Sequence, residues 1–168
     1  TRHGVSCCFL AEKSGLKERD YAHSTARSSN DLLTFKEVAS LAAERTIKRL
    51  GAKRLTTQTV PIIFDSRVSK GLISHLLSAI SGSRSYQSAS FLVNAKDHLI
   101  FPKWLSIQED PFILKGLASA PYDHEGVAVR PRLLVDSGVL QGYLLSTYSA
   151  RRLGLKSTGN AGGAHNIK

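Results

Sequence analysis

The chain has 168 residues, enough for one domain or parts of two, with 42% hydrophobic and 21% charged residues, so it is expected to bury a core. No window approaches the roughly 18 consecutive apolar residues of a membrane span, and the apolar run near the basic N-terminus is too short for a signal peptide. The formal charge of +10 suits a nucleic-acid binder, but the cations are scattered and no run reaches five like charges, so the charge weighs little. The chain contains no methionine, and both ends read as cut from a longer protein. Cys7 and Cys8 are adjacent and would point to opposite faces of a strand. They read as small buried hydrophobes in a cytoplasmic protein, not as a disulfide framework.

In chain order, Val5 to Ala11 reads as a buried strand. Glu12 to Gly15 supplies a turn, and Leu16 to Ala26 returns as a second strand, which together predict a β-hairpin. A helix follows. Thr34 is its N-cap and Glu37 stands at N3, the spacing of a capping box. Leu33 and Val38 are placed for a hydrophobic staple. Phe35, Val38, Leu41, Ala42, Ile47 and Leu50 form its apolar stripe, and Gly51 ends it. Lys53 to Phe64 holds two short extended runs, of which Val60 to Phe64 predicts a buried strand. A domain boundary is placed near Thr57 and Gln58.

Asp65 caps a second helix with apolar residues at Val68, Leu72, Ile73, Leu76, Leu77 and Ile80, and Gly82 is expected to end it. The serine-rich stretch 81–90 reads as a loop or a frayed continuation. Leu99 to Phe101 and Trp104 to Ile107 predict short strands around Pro102. Ala118 to Gly126 reads as a loop. Gly126 to Val135 and Val139 to Tyr148 predict a hairpin turned at Asp136-Ser137-Gly138. Ser149 to Leu153 reads as a short helix stopped by Gly154. The tail 157–163 is a flexible or tightly turning loop. The fold class is α+β, with a hairpin and helix first and a mainly β region with one helix second.

Three groups of residues bear on chemistry. His75 lies on the second helix, but a helical zinc site needs another ligand one turn away and a carboxylate to activate water; positions 76, 79 and 80 are Leu76, Ala79 and Ile80. A hydrogen-bonded packing histidine is the simpler reading. Asp123, His124 and Glu125 form the densest ionisable cluster. If extended, Asp123 and Glu125 share a face and serve as acid and base or metal ligands; otherwise they belong to a solvated loop. The loop 157–163 offers many backbone N–H groups, with Asn160 within it and His165 just after. It lacks the Gly-Lys-Ser/Thr ending of a P-loop, and its glycines equally permit an extended peptide to approach closely.

Taken together, these segments resemble the TldD/PmbA family of metalloproteases, and within it the PmbA/TldE-type branch. The carriers are Ser6-Cys7-Cys8, Arg19-Asp20-Tyr21, His75 to Gly82, Ile107 to Pro111, Gly116 to Ser119, Asp123 to Val127, Asp136 to Leu140 and Ser146 to Gly163. The resemblance runs from about Val5 to Asn166. It implies a central α+β domain ending near residue 57, then the first part of a mainly β C-terminal domain over 58–168. It also implies a cytoplasmic heterodimeric protease that degrades unfolded or extended peptides and matures peptide toxins. In that pairing zinc belongs to a TldD-type partner, whose helix carries His-Glu-x-x-x-His. His75 matches the first histidine of that helix, while Leu76 replaces the glutamate and Ile80 the second histidine. This chain is therefore expected to hold no metal and no catalytic residue. Separately from the resemblance, the two loops that hold Asp123, Glu125, Asn160 and His165 are the candidates for lining a substrate chamber. Self-association is a further expectation, because truncated sheets expose strand edges. The family also carries the label of a modulator of DNA gyrase, so the alternative is a nucleic-acid or gyrase-associated binding protein.

Overall fold

A computed structural model describes all of Thr1–Lys168. The chain divides into two compact units, Thr1–Pro61 and Ile62–Lys168. No helix is long and apolar enough to cross a membrane. Helices and strands are mixed in both units, so the architecture is α+β.

In the first unit, β1 (His3–Lys13) and β2 (Leu16–Ala26) pair antiparallel without a register break, from His3↔Ala26 to Lys13↔Leu16. Ser14 and Gly15 make the turn with φ of 53° and 79°, the left-handed conformation that a two-residue hairpin needs. Helix α1 (Phe35–Arg49) starts at the expected box: the Thr34 side chain accepts from the Glu37 N–H, and Glu37 Oε2 accepts from the Thr34 N–H at 2.7 Å. It ends through Leu50, followed by Gly51 at φ 80°. The core of the unit is Ala22, Val38 and Ala42, with Val5, Cys7 and Leu41 packed around it. The buried face of α1 therefore runs Val38–Ala42–Thr46, one residue per turn. The wider stripe read from the sequence is corrected here: Phe35 and Ile47 are 79% and 62% exposed. Thr46 takes the inward position because its hydroxyl donates to the Ala42 carbonyl at 2.8 Å, which satisfies its polar atom within the helix. Cys7 is half-buried and Cys8 exposed, and both are free thiols.

The expected strand Val60 to Phe64 is absent. These residues form neither helix nor strand, and Ile63 is 98% exposed. Apolar β-branched character alone does not make a strand when no partner strand is at hand.

In the second unit, α2 (Ser66–Ala79) starts at Asp65, whose carboxylate accepts from the Arg67 N–H at 2.8 Å. It ends at Ala79, before Gly82. Gly82 instead opens a short helix, α3 (Gly82–Tyr86), and a glycine is needed there because Ser149 and Leu145 pack where a Cβ would lie. The sheet is four-stranded in the order β5-β4-β3-β6: β3 is Ile107–Asp110, β4 Arg132–Asp136, β5 Val139–Leu140 and β6 Asn166–Ile167. The β4–β5 hairpin is shorter than expected, but its turn is where the sequence put it. Asp136 pairs with Val139 across Ser137 (φ 47°) and Gly138 (φ 81°). Helix α4 (Thr147–Leu153) is capped by Ser146 and stopped by Gly154 at φ 66°. Thus the one long helix of this unit is joined by two short ones. Ile80, Leu134, Val135 and Leu140 are fully buried and form the centre of the core, with Leu76, Leu144 and Leu145 around them.

Candidate functional site

Strand alternation sets the site. Ile107 and Glu109 lie on the same face of β3 and are each 2% exposed, so a carboxylate is carried into the interior beside an apolar residue. Burying a charge is costly unless it is paired and hydrogen-bonded, and Glu109 is both. Arg132 at the start of β4 donates Nε to its Oε2 at 2.8 Å. Asn160 Nδ2 donates to Oε1 at 2.7 Å, and the His165 backbone N–H donates to the same oxygen at 2.8 Å. His165 Nδ1 stands 3.1 Å from it. The network continues outward. Arg132 also donates to the Tyr143 carbonyl at 3.0 Å and to Asn160 Oδ1 at 2.7 Å, and the Thr158 hydroxyl donates to Asn160 Oδ1 at 2.7 Å. Burial by itself raises the Glu109 pKa; the His165 N–H and the Arg132 guanidinium outweigh it and hold the carboxyl below its ordinary value.

Asp123 ties the same loop down from another side. It is 4% exposed. Its Oδ1 accepts from the N–H groups of Glu125 and Val127, both at 2.9 Å, and its Oδ2 accepts from the Ala161 N–H at 2.9 Å. The Asp123 pKa is also lowered: burial raises it, and these three N–H groups more than reverse that. The His124 N–H donates to the Ala161 carbonyl at 3.1 Å. Glu125 points elsewhere, is exposed, and accepts from the Thr147 N–H at 2.7 Å. Residues 123–125 form a turn, so the two carboxylates do not share the face that an extended segment would have given them.

Of the four residues singled out from the sequence, Asn160 and His165 meet at Glu109, Asp123 reaches the same loop through Ala161, and Glu125 stands apart at the start of α4. Asp123, Asn160 and His165 act through hydrogen bonds that hold the loop 157–165 in one conformation. Glu109 and Arg132 were missed. The available signal was the period-2 pattern of Ile107-Gln108-Glu109, which puts Glu109 on the apolar face of its strand.

The held loop lines one side of a cleft of about 430 Å3. Ala161 to Ala164 contribute backbone, α2 and α3 contribute Ser78, Ser83 and Tyr86, and the start of α4 contributes Ser146, Tyr148 and Ser149. Tyr86 and Tyr148 meet edge to face with ring centroids 5.7 Å apart, and the Arg152 guanidinium lies 5.7 Å from the Tyr86 ring centroid.

A catalytic zinc does not fit the residues present. His75 is exposed on α2, while Leu76 and Ile80 are 6% and 0% exposed and belong to the core. Both positions that would supply a base and a second ligand face apolar neighbours. No group of three or more His, Cys, Asp or Glu side chains is arranged to hold a metal ion.

Residues 57–168 match the profile of the PmbA/TldA metallopeptidase C-terminal domain. The chain is 47% identical over 166 residues to the metalloprotease PmbA of Escherichia coli O157:H7, covering 99% of this chain and 37% of that protein. It is 43% identical to the PmbA homologue of Buchnera aphidicola, with the same coverage. The chain thus spans little more than a third of the length of these relatives. A Bacteroides thetaiotaomicron crystal structure, described as a modulator of DNA gyrase, superposes with a TM-score of 0.91 at 28% identity, over 99% of this chain and 38% of that one. TldE from Thermococcus kodakarensis shares the fold, with a TM-score of 0.69 at 22% identity over 99% of this chain and 40% of that one. The chain belongs to the PmbA/TldD metallopeptidase family.

Proposed function

We propose that this chain is part of the zinc-less subunit of a TldD/TldE-type heterodimeric metalloprotease. The whole protein would act in the cytoplasm on unfolded or extended peptides, peptide toxins among them, beside a TldD-type subunit that holds the zinc. Residues 1–57 would then close a central α+β domain, and 58–168 would begin the mainly β C-terminal domain.

The observation that carries this reading is the use of α2. A zinc helix must direct a histidine, a glutamate and a second histidine toward the reacting atoms. Here His75 is outward and Leu76 and Ile80 are packed into the core. The chain's own contribution is then binding and shape: a pinned, glycine-rich loop and serine hydroxyls beside a cleft. The test is co-purification of the full-length protein with a TldD-type subunit, followed by peptide cleavage by each alone and by the pair. Cleavage by the pair only, with zinc bound solely by the partner, is the expected result. Stoichiometric zinc in the full-length protein alone, lost on His75→Ala, would overturn it.

The +10 charge and the gyrase label of the Bacteroides relative favour a second reading, a nucleic-acid or gyrase-associated binding protein. It requires DNA affinity that falls steeply with salt. Absent or salt-insensitive binding by the full-length protein removes it.

A further inference from the structure

We infer that α2 and the segment 84–101 form a site for a small free acid, one that carries a single carboxylate beside an apolar ring or branched chain. The inference is independent of the peptidase reading.

The register of α2 starts the site. Leu72, His75, Leu76 and Ala79 recur at helical spacing and share one face. Leu76 and Ala79 are buried, while Leu72 and His75 stay exposed at the edge of that face. Two hollows open against it, and His75 and Phe91 line both. One, of about 230 Å3, is otherwise walled by apolar side chains: Leu72, Leu76, Leu92, Ile100 and Phe101. The other, of about 300 Å3, adds the polar side chains of Ser78, Arg84 and Ser90. Phe91, common to both, is 88% exposed although its neighbour Leu92 is buried.

The frame of the hollows is set without a ligand. The Ala89 N–H donates to the Arg84 carbonyl at 2.9 Å, which folds the chain back after α3. Ser90 Oγ accepts from the Leu92 N–H at 3.1 Å, and the Tyr143 hydroxyl donates to the Leu92 carbonyl at 3.1 Å. These bonds fix the backbone on both sides of Phe91 and reduce the ordering cost of binding.

The donor set selects the charge of the ligand. The side chains of His75, Ser78 and Arg84 make no hydrogen bond or ion pair within the chain. Ser90 Oγ accepts a bond and still has its own proton to donate. No Asp or Glu lines either hollow. Donors that converge without an acceptor favour an anion, and a guanidinium among them favours a planar carboxylate. Arg84 is the one permanent cation in the lining, so it matches one negative charge and not the two of a phosphate monoester. The apolar hollow selects the rest. An apolar cavity of about 150 Å3 already holds a benzene ring, so this one takes a single ring or branched chain. Such a group covers the exposed face of Phe91 as well. Hollows that take one group each fit a small molecule.

The test is isothermal titration calorimetry of the full-length protein with 3-phenylpropanoate. Saturable one-to-one binding is expected. The neutral amide 3-phenylpropanamide should bind about tenfold more weakly, the scale of one charge-assisted hydrogen bond. Propanoate, which lacks the ring, should also lose about tenfold, the scale of its missing apolar burial. Arg84→Gln should weaken the acid about fivefold, the scale of an exposed ion pair, and leave the amide unchanged. Phe91→Ser should weaken acid and amide alike. Both substitutions are at exposed positions, and an unchanged melting temperature checks that each variant folds. No binding of 3-phenylpropanoate, equal binding of acid and amide, or unchanged affinity in both variants overturns the inference. Tighter binding of 3-phenylpropyl phosphate than of the carboxylate overturns the choice of head group. Binding of a tetrapeptide ending in phenylalanine at least about tenfold tighter than the small acid, the gain expected from further contacts, overturns the small-molecule assignment.

Discussion

Glu109 joins two strands and a loop through a single carboxylate. It receives Arg132 from β4, Asn160 from the loop, and both the N–H and ring of His165. Removing one partner of a buried pair leaves the other charge desolvated and unmatched. Glu109→Ala is therefore expected to destabilise the unit 62–168 by about 3–5 kcal/mol in urea unfolding. A loss below about 1 kcal/mol, the scale of an ordinary net hydrogen bond, would show that the network contributes little. The same carboxylate sets a pH dependence. Glu109 and Asp123 have lowered pKa values in the fold. Their stabilisation is thus fully present above the unfolded-state values near about 4 and is lost as pH falls through the lower folded values. The urea midpoint should drop as pH is taken below about 4. Glu109→Gln, which no longer titrates, should flatten part of that drop; an unchanged profile would remove Glu109 as its source.

At the level of elements, α1 and α2 are both set by their caps but buried by different logic. Thr34 and Glu37 cap each other reciprocally at the start of α1. Thr34→Ala should cost about 1 kcal/mol in the unit 1–61, read from thermal or urea unfolding. In α2 the cap at Asp65 sets the register, and that register sends Leu76 and Ile80 inward. A double substitution Leu76→Glu, Ile80→His restores the residue types of a zinc helix but places a charge and an imidazole in an apolar core. It should lower the melting temperature without bringing stoichiometric zinc. Zinc binding at full stability would mean that α2 can present these positions to solvent.

At the level of the whole molecule, much apolar surface stays uncovered. Phe35, Ile63, Phe91, Trp104 and Leu114 are each at least 79% exposed. Where such side chains adjoin in a patch of more than a few hundred Å2, they mark a surface that other protein covers. The 168-residue chain by itself is expected to bind an apolar dye such as ANS and to associate with rising concentration in light scattering. If the proposed pairing holds, the full-length protein bound to a TldD-type subunit should do neither. A monodisperse, dye-silent chain would contradict this.

Local chemistry made a good part of the fold legible. The first hairpin, the capping box at Thr34, the cap at Asp65, the Ser137-Gly138 turn and the stop at Gly154 all depend on a few neighbouring residues, and each lies where the sequence placed it. That neither position 76 nor position 80 holds a glutamate or histidine was equally readable, because it concerns residue identity alone. Tertiary structure decided what depends on partners distant in the chain. Val60 to Phe64 has strand-forming residues but no strand to pair with, and position 82 needs a glycine because Ser149, distant in the chain, packs against it. Above all, Glu109, Arg132 and the segment from Asn160 to His165 lie far apart in sequence, and only closure of the sheet brings them to one carboxylate. The residue types at His75, Leu76 and Ile80 were thus legible from one local stretch, while the pinned loop and its cleft exist only once β3, β4 and β6 have come together.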